Sequence, residues 1–192
     1  DKCISGLVNV LKEARDVYGR IDTVDRGTKP RIGIVGEIYI RSNAFSNESI
    51  VRSLEKLGGE VWLPPISEWF LYLNFTSRRY SLDNRRYFTY WKNYITEMVQ
   101  QSDEHALDHI WNGYLVNHPE PSIKETLLES KPYLDDSFEG EAVLSVGKCG
   151  DYIRKGVSAL VNVMPFTCMP GTIVGAVMKR YREEHNDIPF LN

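Results

Sequence analysis

The feature that most constrains the fold is a pair of short β-branched runs that enclose a helical pattern. The first run is Arg31-Ile32-Gly33-Ile34-Val35-Gly36, and the second is Glu60-Val61-Trp62-Leu63. The segment between them carries apolar residues on one helical face: Ile50, Val51, Leu54 and Leu57. Ser46 is the expected N-cap of this helix, and Gly58-Gly59 is expected to end it. This order predicts a β-α-β unit with two parallel, buried strands.

The same rhythm returns near the end of the chain. Ala159-Leu160-Val161-Asn162-Val163 predicts a third strand, a helix is expected over 172–184, and a fourth strand over 187–191. The loop 164–171, Met-Pro-Phe-Thr-Cys-Met-Pro-Gly, joins the third strand to that helix and contains Cys168. The fold class is therefore predicted to be α/β with a parallel sheet.

The middle of the chain has a different character. Residues 66–156 are rich in aromatic and charged side chains, and they show helical spacing without strand alternation. Ser122-Ile123-Lys124-Glu125 matches a capping box, which predicts a helix start. We expect one domain over 1–192, with 29–65 and 157–192 as the α/β core and 66–156 as a large helical insertion. An amphipathic helix at 4–18 precedes the core, and the chain is expected to be a piece of a longer protein.

Composition narrows the function classes. The formal net charge of -3 provides no basic excess for binding nucleic acid, and no apolar run is long enough to cross a membrane. The three cysteines, Cys3, Cys149 and Cys168, are irregularly spaced, which is typical of a reducing compartment rather than a disulfide framework. A cytoplasmic protein without nucleic-acid or membrane partners is the expectation.

Two loops are predicted to meet at the carboxyl edge of the sheet, where parallel sheets bind ligands. The loop after the first strand offers Glu37, Arg41 and Asn43 as substrate-binding residues, and the loop after the third strand offers Cys168. If these two strands are neighbours, the four side chains share one crevice.

Cys168 precedes a helix start, with Pro170 suited to the first turn, so its thiol is a nucleophile, a metal ligand or a buried filler. No base is identifiable near it, which weakens the interpretation as a nucleophile. Cys149 lies within a predicted helix between small residues, and core packing is favoured there. His105 and His109 stand at i and i+4, where an exposed helix face is favoured over a zinc site.

The loops also resemble a known family. Lys29-Pro30-Arg31-Ile32-Gly33-Ile34-Val35-Gly36-Glu37-Ile38-Tyr39, followed by Asn43 and Asn47-Glu48, is similar to the opening of the 2-hydroxyacyl-CoA dehydratase D-component family and its CoA-enzyme activase-related relatives. Val163-Met164-Pro165-Phe166-Thr167-Cys168-Met169-Pro170-Gly171 resembles a second signature of that group. The resemblance covers 29–65 and 141–192.

This resemblance implies a Rossmann- or flavodoxin-like lobe of a protein that binds a 4Fe-4S cluster, with Cys168 as its ligand. Such dehydratases accept one electron from an ATP-dependent activator component and remove water from a 2-hydroxyacyl-CoA. The implied partners are that activator or neighbouring domains of a longer chain, and acyl-CoA is the implied ligand. The alternative is a cluster-free scaffold that docks a partner through the helical block.

Overall fold

The structure, a computed structural model, describes residues 2–23, 27–114 and 120–192. In chain order the helices and strands are α1 (Lys2–Tyr18), β1 (Arg31–Gly36), α2 (Ile38–Ser42), α3 (Ile50–Lys56), β2 (Glu60–Trp62), α4 (Ser67–Asp83), α5 (Tyr87–Asp108), α6 (Ile123–Ser130), α7 (Glu141–Arg154), β3 (Ala159–Val163), α8 (Met169–Glu184) and β4 (Phe190–Leu191). Short 3-10 turns follow α5 at His109–Trp111 and precede α7 at Asp136–Phe138.

The four strands form one parallel sheet in the order β2-β1-β3-β4. Val35 in β1 and Leu160 in β3 are buried, as expected for central strands covered by helices on both faces. The predicted α/β class is therefore confirmed. This order is that of the first four strands of a flavodoxin-like sheet, in which the order of the strands across the sheet reverses between β1 and β3.

The chain divides into two compact units. A helical unit contains Asp1–Val24 and Ser67–Glu120, and an α/β unit contains Asp25–Ile66 and Pro121–Asn192. The segment predicted as a helical insertion, 66–156, is split by this division. Its first part, α4 and α5, joins α1 in the helical unit, whereas α6 and α7 pack on each other and α7 packs on β1 and α8.

Several predicted element boundaries are now observed. The capping box at Ser122 and Glu125 is present in full, and α8 begins at Met169, one residue after Cys168 and three residues before the predicted start at 172. Ser46 as the N-cap of the helix after β1 is wrong: the N-cap of α3 is Ser49. The reason is local, because the Asn43 side chain accepts hydrogen bonds from the N–H groups of Phe45 and Ser46 and holds a turn there. Part of the expected loop is the short helix α2.

Helix α7 forms the centre of the α/β unit. Its residues from Ala142 to Tyr152 are all buried, because the helix lies against the sheet, α6 and α8. Two charged residues, Lys148 and Asp151, are buried with it, and the Lys148 ammonium lies 4.0 Å from the Asp151 carboxylate. The Lys155 ammonium lies 3.0 Å from the same carboxylate. Helix α7, which we predicted as part of the insertion 66–156, is therefore a core element that extends to the end of β1.

Candidate functional site

The ends of β1 and β3 lie side by side at the carboxyl edge of the sheet. Gly36 is paired with Val163, and the Glu37 N–H donates a hydrogen bond of 2.9 Å to the Val163 carbonyl. Gly36 has φ +109°, and a Cβ atom there would lie 2.2 Å from the Val163 carbonyl oxygen. Only glycine fits this position. The two loops predicted to meet therefore start from adjacent strands.

The three predicted substrate-binding residues shape the loop after β1. The Glu37 carboxylate caps α2 by accepting a hydrogen bond of 2.6 Å from the Ile40 N–H. Arg41 is buried, with 4% of its surface exposed. Besides closing the turn, Asn43 donates through Nδ2 to the Tyr39 hydroxyl at 2.8 Å. All three belong to this edge of the sheet, and their binding of a substrate stays a prediction.

Glu141 adds a second carboxylate to the edge, and sequence reasoning did not identify it. It is the first residue of α7 and follows Gly140. Burial raises the pKa of the Glu141 carboxyl, and the nearby Glu37 carboxylate raises it further. A hydrogen bond from the Ile38 N–H and the Arg41 guanidinium act in the opposite direction. The site thus contains two carboxylates and a buried guanidinium.

A narrow crevice lies between these groups and the start of α8. It is too narrow to admit a water-sized sphere. Its lining includes Glu37, Glu141, Ser145, Pro170 and Gly171. The Ser145 hydroxyl accepts a hydrogen bond of 3.3 Å from the Gly36 N–H and thereby ties α7 to the end of β1. A ligand held at this edge therefore contacts the loops above the crevice.

Asn162 fastens the start of α8 to β3. It is a buried polar residue within an otherwise apolar strand, a pattern that is visible in the sequence. Its Nδ2 donates to the Gly171 carbonyl at 3.1 Å and to Asn192 Oδ1 at 2.9 Å. The first turn of α8 is thereby held beside the strand end from which the Cys168 loop departs.

Cys168 is the N-cap residue of α8, and its thiol is half-buried. Its N–H donates to the Pro165 carbonyl at 3.1 Å, and its carbonyl accepts from Thr172 Oγ1 at 2.8 Å. The Cys168 side chain makes no capping hydrogen bond to α8, and the positive end of a helix favours a negative charge such as a thiolate. The predicted position, just before a helix with Pro170 in the first turn, is confirmed.

The residues around Cys168 are exposed and apolar. Phe166 is 96% exposed and Met169 is 70% exposed, and we call this pair the apolar rim. Thr167, between Phe166 and Cys168, has φ +64°, a left-handed conformation that is unusual for a β-branched residue. Backbone strain of this kind is concentrated at functional sites.

Cys149 has the opposite environment to Cys168. It is completely buried in α7, and burial strongly raises the pKa of its thiol. Core packing, the interpretation favoured from sequence, is confirmed for Cys149. The side chain of Cys3 lies outside the described part of the chain. Of the two cysteines whose side chains the structure describes, Cys168 is the one that is partly exposed.

The histidine pair lies on the surface of the helical unit. His105 and His109 are both exposed, with ring centroids 6.4 Å apart. Within residues 2–23, 27–114 and 120–192, no group of three or more His, Cys, Asp or Glu residues is arranged to hold a metal ion. The exposed helix face predicted for these histidines is observed.

A wider groove lies in the helical unit, between α4 and α5. It encloses about 460 Å³ and is lined by the apolar residues Phe70, Leu71 and Leu107 and by the acidic residues Asp103, Glu104 and Asp108. None of its lining residues is a cysteine or a histidine. The groove therefore offers no thiol or imidazole. It differs in this from the carboxyl edge of the sheet where the Cys168 loop begins, which we call the Cys168 edge.

Comparison with known proteins finds no match for this chain among protein-family models, curated proteins or solved structures. A search of the described helices finds none with the length and apolar character needed to span a membrane.

Proposed function

We propose that the α/β unit is an iron-sulfur-binding lobe of a 2-hydroxyacyl-CoA dehydratase-like or CoA-enzyme activase-related protein, with Cys168 as its cluster ligand. The observation that carries this proposal is the contrast between two thiols. Cys168 is half-buried at the start of α8, at the point where the strand order reverses, whereas Cys149 is sealed in the core. Parallel sheets bind their ligands at this reversal point.

The donor set supports a shared cluster rather than one enclosed by this lobe. A 4Fe-4S cluster is held by four cysteine thiolates, and the described residues contribute one accessible thiol. The other ligands come from a neighbouring domain or a partner chain. The apolar rim, Phe166 and Met169, supports the same arrangement, because exposed apolar side chains around a ligand are suited to cover by a second protein surface.

When bound, the cluster would supply the single electron for radical dehydration of an acyl-CoA. The residues of this chain hold its ligand in place. Asn162 anchors the first turn of α8, and the turn closed by the Cys168 N–H presents the thiol at the positive helix end. The Arg41 guanidinium offsets the negative charge of Glu141 at this edge of the sheet.

Anaerobic expression of the full natural protein, followed by iron and sulfide analysis, tests this proposal. We expect wild-type protein and Cys149→Ala to contain a cluster, and Cys168→Ala to lose it or lose iron from it. Cys149→Ala is the matched control, because it removes a thiol of the same chain that cannot reach a ligand. An intact cluster in Cys168→Ala would refute the ligand assignment.

A cluster-free docking scaffold is the second candidate function. The observation in its favour is the apolar rim itself, which suits a protein partner with or without a metal. It predicts a colourless protein after anaerobic reconstitution that still binds the activator component. Phe166→Ser would then weaken that binding, while Cys168→Ala would leave it unchanged.

A further inference from the structure

Helix α5 has two faces of different character. The face that contacts α4 is polar: Asn93 donates to Ser77 at 2.8 Å, and Glu104 accepts from Ser67 at 2.7 Å. Between these two contacts, Glu97 is paired with Arg78 at 3.1 Å, and Gln100 is hydrogen-bonded to Asn74. Positions 93, 97, 100 and 104 follow the helical period, so a single polar stripe joins α5 to α4.

The opposite face of α5 is apolar and exposed. The fractions of each residue left exposed are 86% for Phe88, 58% for Trp91, 59% for Ile95, 54% for Met98 and 54% for Val99. Phe88, Trp91, Ile95 and Met98 follow one another at three or four positions, and Val99 is four positions after Ile95. All five therefore lie on one side of the helix, and we call them the α5 stripe. A stripe of this spacing is the kind that packs against another helix.

The size of the residues along this face makes it complementary to itself. The first half carries the bulky Phe88 and Trp91, and the second half carries the small Ser102 and Ala106, which are exposed. An antiparallel second copy of α5, centred near residue 97, places each bulky residue opposite a small one of the partner helix. Ile95 of one copy then meets Met98 of the other.

Charge along the edge of the stripe selects the same arrangement. Lys92 is exposed and Asp103 is half-buried, and both lie on the same flank of the α5 stripe. They are separated by 11 positions, about 16 Å along one helix, so they cannot pair within one chain. In an antiparallel pair the same flanks face each other, and the register set by the apolar residues brings Lys92 of each copy to Asp103 of the other.

We propose that the α5 stripe is a homodimer interface, in which two copies of α5 pack antiparallel with Ile95 against Met98 and Lys92 against Asp103. The occupant of this face is thus a second copy of this chain. The proposal concerns the helical unit and does not depend on the function proposed for the Cys168 edge.

A zero-length cross-link between lysine and carboxylate is the sharpest test. A carbodiimide applied to a mixture of ¹⁴N- and ¹⁵N-labelled chains should yield, by mass spectrometry, a peptide that joins Lys92 of one isotope to Asp103 of the other. Asp103→Asn should remove this product. Absence of the mixed-isotope product from wild-type protein would overturn the proposed register.

Light scattering after gel filtration measures the oligomeric state and therefore tests the interface itself. We expect a dimer for the wild type, a monomer for Ile95→Asp, and a dimer for the matched control Leu128→Asp, which alters an exposed leucine of α6. Lys92→Glu should weaken the dimer, and Lys92→Glu with Asp103→Lys should restore it. These two variants alter exposed or half-buried side chains, so they still test the interface if Ile95→Asp does not fold. A monomeric wild type, or failure of the double variant to recover, would overturn the proposal.

Discussion

Two cysteines of the same chain differ entirely in what surrounds them. The Cys168 thiol is partly open to solvent beside the N-terminus of α8, whereas Cys149 is packed in the interior of α7. The thiolate is the form that binds metal, and burial in an apolar core disfavours it. At the residue scale, accessibility therefore separates the cysteine that we propose as a ligand from the one that packs in the core.

This difference predicts the reactivity of each thiol with Ellman's reagent. In a Cys3→Ser background, which leaves two of the three cysteines, native protein should react at one thiol and unfolded protein at both. Mass spectrometry of the modified native protein should locate the label on Cys168. Rapid labelling of Cys149 in native protein would show that α7 is not the sealed core element described above.

Glu141 provides a prediction on the dependence of stability on pH. Because burial and the Glu37 carboxylate raise its pKa, the folded protein holds the Glu141 proton more tightly than the unfolded chain does. The free energy of unfolding contributed by Glu141 therefore decreases as pH rises from below its unfolded pKa through its folded pKa. Glu141→Gln should unfold at a higher temperature than wild type at pH 7.

The gain from Glu141→Gln should vanish at acid pH, where the wild-type carboxyl is protonated in both states. Thermal melts followed by circular dichroism at neutral and acid pH measure this difference. The exposed Glu48→Gln, on the loop before α3, is the control and should show little change at either pH. An equal gain at both pH values would mean that charge at Glu141 is not the cause.

At the scale of elements, the close packing of α6 on α7 explains why Gly147 lies in the middle of a helix. A Cβ atom at Gly147 would lie 2.0 Å from the Thr126 carbonyl oxygen, a backbone atom of α6 that cannot turn away. The helices approach closely because this position has no side chain. Helix propensity alone would favour alanine here, so packing between the elements decides the residue.

Gly147→Ala should accordingly destabilise the protein by about 1–3 kcal/mol, the usual range for an overpacked core position. Gly6→Ala in α1 is the matched control, since a Cβ atom there meets nothing within 4 Å. The control should stabilise the protein by up to about 1 kcal/mol, because alanine is the better helix former. Urea unfolding of both variants measures the pair, and equal effects would contradict the packing described.

The sequence predicted the helices and strands better than it predicted which of them pack against one another. The strands, the Ser122 capping box and the position of Cys168 just before a helix follow from residues close together in the chain, and they were predicted. The packing of α7 on the sheet and of α6 on α7 was not predicted, because an apolar helical face does not determine which element packs against it. The Gly36–Ser145 hydrogen bond likewise joins residues 109 positions apart.

At the scale of the whole molecule, the two units carry two separate proposals. The α/β unit presents the Cys168 edge, with Glu37, Arg41 and Glu141 beside it, and the helical unit presents the α5 stripe. Of the site, sequence identified Cys168 and the loop after β1, since both follow strands. It did not identify Glu141 and Ser145, which reach the edge only through the fold, or Asn162, a polar residue within an apolar strand.

The central claim is that Cys168 is a cluster ligand, and electron paramagnetic resonance of the reduced, anaerobically prepared natural protein tests it most directly. Serine in place of a ligating cysteine changes the donor atom on one iron. We therefore predict that Cys168→Ser alters the signal or abolishes it, while Cys149→Ser leaves the signal of wild type. A spectrum of Cys168→Ser identical to that of wild type, with the same iron content, would contradict the account.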